Sequence, residues 1–149
     1  MTRTYSGITL LMGALFSLSA CAQPQEQVPA SSTPLTQATL AGQPLQLVEH
    51  QGQCVLRKPD NSDLKLEMNW PCQFTPDKQG KVQTEVHNSV PIVLVEHSQP
   101  NPAPDTDCVK TSQAVRLRDN TLETSRVNRS AMCHIGQQDQ KMFTGLFRW

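Results

Sequence analysis

The side chains in this 149-residue chain that are able to do chemistry are four histidines, five cysteines and scattered carboxylates. No two histidines have the helical spacing typical of a zinc site; the four are His50, His87, His97 and His134. Glu85 shares one face of an alternating segment with His87, as an acid–base pair would, although exposed strands commonly carry such neighbours. The chain also lacks a Gly-x-Ser-x-Gly elbow, a phosphate-binding glycine loop and a His-Glu-x-x-His helix. We therefore expect no catalytic activity, no metal ion and no cofactor.

A largely apolar segment near the N-terminus ends at the first of the cysteines. Arg3 precedes residues 7–18, which carry no charge. A permanent transmembrane helix needs about 20 apolar residues, so this shorter segment better fits the central region of a cleavable export signal. Its end, Leu18-Ser19-Ala20-Cys21, resembles the lipobox of bacterial lipoproteins, in which a leucine, two small residues and a cysteine terminate the signal peptide.

The resemblance implies cleavage before Cys21, attachment of diacylglyceryl to its sulfur, and acylation of the new amino terminus. Two or more acyl chains hold a protein stably on a membrane. In that family an aspartate directly after the cysteine retains the protein in the inner membrane. Here Ala22 follows, which implies passage to the outer membrane in a Gram-negative cell. We expect the anchored domain to face the periplasm. The alternative is an ordinary secretory signal whose cleavage site lies next to a structural cysteine.

Composition divides the rest of the chain into a tether and a domain. Up to residue 39, Gln, Pro, Ser and Thr dominate with a single charge, Glu26, so the apolar content is too low to offset the ordering entropy. An N-terminal strand within the domain is the alternative, which three prolines disfavour. We predict a signal peptide over 1–20, an acylated cysteine with a flexible tether over 21–39, and a small disulfide-bonded globular domain over 40–149.

The domain has mostly the two-residue periodicity of strands. Alternating segments lie at 64–70, 82–87 and 115–118, separated by turn signals. The continuously apolar segment 91–95 is typical of a central strand covered on both faces. After Gly136, apolar residues at helical spacing predict an amphipathic helix of about ten residues. The expected fold class is α+β, dominated by β, with a small antiparallel sheet and a short C-terminal helix.

Four further cysteines are available for pairing in the oxidising compartment that an export signal implies; they are Cys54, Cys72, Cys108 and Cys133. Spacing alone leaves three connectivities open. Residues 44–50 and 91–97 agree at five of seven positions, and a Cys-Val pair, an Asp-Asn turn and a second cysteine follow each segment. This similarity suggests an internal duplication into β-rich halves over 44–90 and 91–149. Each half would hold its own bridge, pairing the first two of these cysteines and the last two. Coincidence is the alternative.

Thirteen basic and thirteen acidic side chains balance, which disfavours nucleic-acid binding because phosphate neutralisation needs an excess of Lys and Arg. The segment 49–107 has nine acidic and five basic residues, a net charge of −4, whereas 110–148 has seven basic and three acidic residues, a net charge of +4. The basic half could face an anionic glycan or an acidic protein, or it is only an uneven solvated surface. The proline-rich loop 99–107 is a further candidate contact. Arg116 and Arg118 are expected to lie on an exposed strand face, and they are candidate binding residues together with Arg126 and Arg129.

These observations together predict an outer-membrane-anchored periplasmic lipoprotein whose domain binds an envelope protein or glycan without catalysis. One concrete form is an inhibitor or immunity-type protein directed against an envelope-targeting enzyme. The alternatives are an accessory structural subunit of a cell-envelope assembly and a glycan- or lipid-binding lipoprotein.

Overall fold

The computed structural model describes residues 33–131, 133 and 138–149. The predicted signal peptide, Cys21, the first part of the predicted tether and His134 lie outside the described residues. Within these ranges no helix has the length and apolar character that crossing a membrane requires. The described elements are β1 (Gln37–Leu40), β2 (Gln43–His50), β3 (Gln53–Arg57), β4 (Asp63–Asn69), β5 (Gln73–Phe74), β6 (Thr84–His87), β7 (Val90–Pro100), β8 (Cys108–Arg118), β9 (Thr121–Thr124), β10 (Asn128–Ser130) and α1 (Gln140–Thr144).

The strands pair in antiparallel fashion and form two sheets. The first sheet has the order β1-β2-β3-β4. In the second sheet the long strands β7 and β8 lie at the centre. The short strands β5 and β6 share the outer edge of β7, and β9 and β10 share the outer edge of β8. The predicted fold class is therefore confirmed, with two sheets in place of the one expected.

Tight turns set the register of both sheets. Four of the described turns are two-residue loops in which both residues have positive φ: Ala41-Gly42, Gln51-Gly52, Asn88-Ser89 and Asp119-Asn120. Type I′ hairpins need positive φ at both positions, which Gly, Asn and Asp adopt most readily. The turn signals at 51–52 and 119–120 therefore mark hairpins.

The main apolar core lies between the two sheets. Leu47 and Leu56 from the first sheet pack there with Phe74 and Val93 from the second. Each of these side chains is at most 2% exposed. Burial of such a side chain contributes about 1.5–3 kcal/mol, so this layer is the main source of stability.

A smaller apolar cluster covers the opposite face of the second sheet. Phe143 of α1 and Phe147 pack there against Ile92 and Leu94 of β7. All of residues 92–95 are fully buried. The prediction of a central strand covered on both faces is therefore confirmed.

The C-terminal helix is shorter than predicted. It has five residues, where the periodicity predicted about ten. The side chain of Asp139 caps its start by accepting a hydrogen bond from the N–H of Lys141 at 3.0 Å. The helix ends at Gly145, whose N–H donates to the carbonyl of Lys141, and Phe147 reaches the sheet from beyond the helix.

The domain begins earlier in the chain than residue 40. The carbonyl of Leu35 accepts a hydrogen bond from the N–H of Phe74 at 2.7 Å, and that of Thr36 accepts one from Leu47 at 2.8 Å. The entry segment therefore joins both sheets before β1 starts. The predicted end of the tether at residue 39 is wrong, because strand pairing and the full burial of Leu40 outweigh the polar composition.

Both predicted disulfides are present. Cys54 of β3 pairs with Cys72, which precedes β5, so this bridge links the first sheet to the start of the second. Cys108 of β8 pairs with Cys133 and ties the segment after β10 to the sheet. The two Cα atoms are 6.1 Å apart in each bridge.

The repeated segment forms the first strand of a hairpin in both of its copies, β2 and β7. The boundary predicted between residues 90 and 91 is wrong, because β5 and β6 precede it and yet pair with β7. The matched leucines also face different cores. Leu47 points between the sheets, whereas Leu94 points to the C-terminal cluster. The two halves therefore do not bury equivalent faces.

Candidate functional site

The four candidate arginines have different surroundings, and the first of them is buried. Arg116 is 4% exposed, so the prediction that it lies on an exposed strand face is wrong. Its guanidinium donates to Glu123 at 2.7 Å and lies 4.3 and 4.7 Å from the ring centroids of Phe147 and Trp149. A planar, weakly hydrated guanidinium suits such a stacked ion pair. Arg116 therefore holds the C-terminal segment on the second sheet.

Arg118 binds the same carboxylate from the solvent side. Its guanidinium is 3.0 Å from Glu123, and its side chain is 41% exposed. Hydrogen bonds from Arg116 and then from Arg118 hold the pKa of Glu123 below its usual range. Both arginines are therefore paired within the domain, and the single carboxylate balances one of their two positive charges.

Arg126 and Arg129 are exposed, and neither makes an ion pair with a described residue. The backbone N–H of Arg126 donates to the carbonyl of Leu146. Arg129 lies opposite Thr111 of β8, which is five residues and about 17 Å along the strand from Arg116. The structure therefore does not gather the four arginines into one basic surface.

Arg129 lines a cleft at one end of the domain, which we name the end cleft. Its volume is about 410 Å³, a size common among small-ligand sites. Because β7 and β8 have 11 residues each and β4 has seven, their hairpin extends beyond the first sheet and forms the floor of the cleft. The lining residues are Gln53, Glu67, Met68, Asn69, His97, Gln99, Val109, Thr111 and Arg129.

Three side chains form a row across this floor. His97 pairs with Thr111 in the β7–β8 register, and Thr111 pairs with Arg129 in the β8–β10 register. Neighbouring strands are about 4.8 Å apart, so about 10 Å separates the backbones of His97 and Arg129.

Buried Gln113 holds the wall of the end cleft in place. Its amide oxygen accepts a hydrogen bond from the N–H of Glu67 at 2.8 Å, which ties β4 to β8. Its amide nitrogen donates to the carbonyl of Ser125 at 2.9 Å. Both polar ends of this side chain are therefore used, and the first sheet is fixed over the second beside the cleft.

His97 has one bonded and one unbonded ring nitrogen. Its Nδ1 lies 2.7 Å from the carbonyl oxygen of Pro71. Since a carbonyl only accepts hydrogen bonds, Nδ1 carries a proton, and Nε2 of the neutral ring is an acceptor. Nε2 is buried and has no hydrogen-bond partner among the described residues. Because such a group costs about 1–3 kcal/mol, a donor supplied by a ligand would be stabilising here.

Amide side chains complete the polar lining. Gln53 donates to Asn69 at 3.0 Å, and Gln99 is exposed. Val109, 48% exposed, adds an apolar patch. Besides the acidic residue Glu67, the end cleft therefore offers a cation, a buried acceptor and several amides, a set suited to a small polar ligand.

The loop that follows β7 lies at the same end of the domain. β7 continues to Pro100, so the loop covers 101–107 and is shorter than predicted. The carboxylate of Asp105 accepts hydrogen bonds from the N–H of Asp107 and the amide of Asn101, both at 2.8 Å. These bonds hold the pKa of Asp105 below its usual range and order the loop.

Glu85 and His87 share a face of β6, but no hydrogen bond between them is found in the described structure. Glu85 accepts one from Gln83 at 3.1 Å, and the ring of His87 contacts that of Trp149 with centroids 4.5 Å apart.

Among the described residues, no group of three or more His, Cys, Asp or Glu side chains is arranged to hold a metal ion.

A buried ion pair on the other face of the second sheet was missed by sequence analysis. The ammonium of Lys110 lies 2.6 Å from Glu96, and their side chains are 3% and 8% exposed. Gln73 and Thr75 also donate to this carboxylate. The pair joins the acidic and basic segments of the chain. No signal in the sequence distinguishes these two residues from solvated charges.

A larger groove of about 650 Å³ lies at the opposite end of the domain, against β1, β2 and β6. Two cationic residues, Lys58 and Arg57, line this groove. Arg57 forms an ion pair with Asp63 at 3.0 Å. No buried side-chain polar atom in its described lining lacks a partner. The end cleft is the stronger candidate, because it combines an unpaired arginine with an unpartnered acceptor.

The fold thus presents a small polar cleft within a frame of two sheets and two disulfides. We compared the chain with protein-family models, with curated proteins and with solved structures, and none of the three comparisons found a match.

Proposed function

We propose that this protein is an exported lipoprotein, anchored through Cys21 to the outer membrane, whose domain binds an envelope partner in the periplasm without catalysis. The observation that carries the proposal is Leu18-Ser19-Ala20-Cys21 at the end of an uncharged, largely apolar segment. The two disulfides support it, because such bridges persist in oxidising compartments.

The place where the chain from Cys21 enters the domain supports binding close to the membrane. Pro34 lines a small pocket with Pro71 and Ser98, and the carbonyl of Pro71 also accepts a hydrogen bond from the ring of His97 in the end cleft. The chain from Cys21 to Pro34 spans at most about 47 Å when fully extended. In this proposal the end cleft therefore meets partners within reach of the membrane surface.

The anchor is tested by the mass and membrane fraction of three forms of the protein. We expect the native protein to lack residues 1–20, to carry acyl chains and to sediment with outer membranes. Cys21→Ser should be unacylated. Ala22→Asp should be acylated but retained with inner membranes. A native protein that is unacylated, or that keeps its leader, would contradict the proposal.

Binding is tested by photo-crosslinking in cells. A photoreactive amino acid at position 109, beside the end cleft, should give a discrete higher-mass adduct. Position 86 is the matched control, because Val86 is 59% exposed and lies about 27 Å away along β7. Adducts at neither position, or at position 86 alone, would contradict binding through the end cleft.

A further inference from the structure

We propose that the end cleft binds the carboxylate end of a short extended peptide. This inference rests on the proposed function and names the class of ligand for the same site. Its basis is the row of His97, Thr111 and Arg129 across the floor of the cleft.

In this proposal Arg129 binds the carboxylate of the peptide. It is exposed, lines the cleft and makes no ion pair with a described residue. A guanidinium presents a planar fork of N–H donors that matches the two oxygens of a carboxylate. Arg129 lies on β10, which pairs with the long central strand β8.

In this proposal His97 accepts a hydrogen bond from the peptide backbone. Its Nε2 is an acceptor without a partner among the described residues. Because this nitrogen has almost no accessible surface, a peptide N–H supplies the missing donor only when the groups that cover Nε2 move aside on binding. The backbones of His97 and Arg129 are about 10 Å apart, whereas an extended chain advances about 3.4 Å per residue. The N–H bound by His97 therefore belongs to a residue two or three positions from the chain end. Gln99, and the amide groups of Gln53 and Asn69 that are not used in their mutual hydrogen bond, are available to the remaining peptide groups.

The lining favours a carboxylate over a phosphate. Arg129 is the only Lys or Arg among the described lining residues, whereas phosphate usually recruits several cations or a cluster of backbone N–H groups. The buried acceptor on His97 calls for a ligand that carries a donor, and at neutral pH both a peptide N–H and the P–OH of inorganic phosphate meet this need, so the number of cations is what separates the two ligands. A peptide end provides both the donor and the anion.

The test is a calorimetric titration of the mature acylated protein in detergent micelles. The probe is acetyl-Ala-Ala-Ala, and the comparison peptide is the same sequence with its carboxylate converted to an amide. We expect the acid to bind about 3- to 5-fold more tightly than the amide, as an exposed charge-assisted pair implies. Arg129→Gln should remove this preference. Arg126→Gln is the matched control, because Arg126 is equally exposed but does not line the cleft, and it should leave binding unchanged.

A second variant and a competitor complete the test. His97→Phe should weaken both peptides by a similar factor, since it removes the acceptor and not the cation. Equal binding of the two peptides, equal losses in the two arginine variants, or tighter binding of inorganic phosphate would overturn the inference. If neither peptide binds while position 109 still cross-links in cells, the ligand class is wrong and the proposed function stands. If the protein is unacylated while the acid binds, the proposed function fails and the site remains.

Discussion

The guanidinium of Arg116 is the most heavily used charge in the described domain. It is 4% exposed, pairs with Glu123 and lies under two C-terminal rings. We expect Arg116→Met to lower the free energy of unfolding by about 2–3 kcal/mol, because it leaves a partly buried carboxylate short of a partner and removes the stacked cation. Urea unfolding under non-reducing conditions, followed by tryptophan fluorescence, measures this loss. Arg118→Met is the control and should cost less than about 1 kcal/mol, since it breaks an exposed pair. Equal losses would contradict this role.

The same carboxylate makes stability depend on acid pH. Since its arginine partners lower the pKa of Glu123 from an ordinary value of 4.5, its stabilising contribution is fully present above that pH. The contribution is lost as the pH falls through the lower folded pKa. Glu123→Gln should therefore destabilise the domain at pH 7 and much less at pH 3. Chemical unfolding of both forms at the two pH values measures the difference. A difference that stays constant would show that Glu123 does not titrate in this way.

Arg116 also shows why a single sequence does not identify this site. The alternation of Val115 and Arg116 correctly predicts a strand with two different faces, but not what covers the second face. Phe147 and Trp149, more than 30 positions later, exclude water from it. The same limit applies to His97, because the carbonyl that fixes its tautomer belongs to Pro71, which is distant in sequence. Side-chain environment depends on such long-range contacts, whereas periodicity reports only the local chain.

Among the elements, the turn between β6 and β7 has residues in a demanding conformation. Asn88 and Ser89 have φ of 50° and 63°, and serine has no special tolerance for this region. Ser89→Gly should raise the free energy of unfolding by about 0.5–1 kcal/mol, because it relieves this strain at a modest cost in unfolded-chain entropy. Ser89→Ala is the matched control and should be nearly neutral, since it keeps the strained φ. Thermal unfolding measures both, and stabilisation by both variants would show that the hydroxyl, not the backbone, is unfavourable.

Elements were predicted well where periodicity and turn chemistry agree, and poorly at the ends of the chain. The strands at 64–70 and 91–95 and the hairpin at 51–52 follow from local pattern alone. β1 was missed, because Leu35 and Thr36 are ordered by hydrogen bonds to two different sheets. The helix was overestimated, because helical spacing continues past Gly145 although the helix does not.

At the scale of the whole molecule, the two disulfides have different neighbours although they close loops of similar length. Cys54 and Cys72 are 0% and 3% exposed and lie in the core between the sheets. Cys72 also follows Pro71, whose carbonyl holds the ring of His97 in the end cleft. The second bridge ties one segment to the start of β8. The loop-entropy contribution to stability is therefore similar for both bridges, and the packing around the cysteines makes their total contributions differ.

We expect removal of the first bridge by Cys54→Ala with Cys72→Ala to lower the free energy of unfolding by about 4–5 kcal/mol. About 3 kcal/mol comes from loop entropy and the rest from the void left between the sheets. Cys108→Ala with Cys133→Ala should cost only about 3 kcal/mol, because the loop term dominates there. Urea unfolding of both double variants, with disulfide content checked by mass, measures the contrast. The first double variant should also weaken the binding of both the acid and the amide peptide in the end cleft, since it releases the segment that orients His97. An equal or larger stability loss from the second pair would mean that the packing of the Cys54–Cys72 bridge between the sheets adds nothing to its loop entropy.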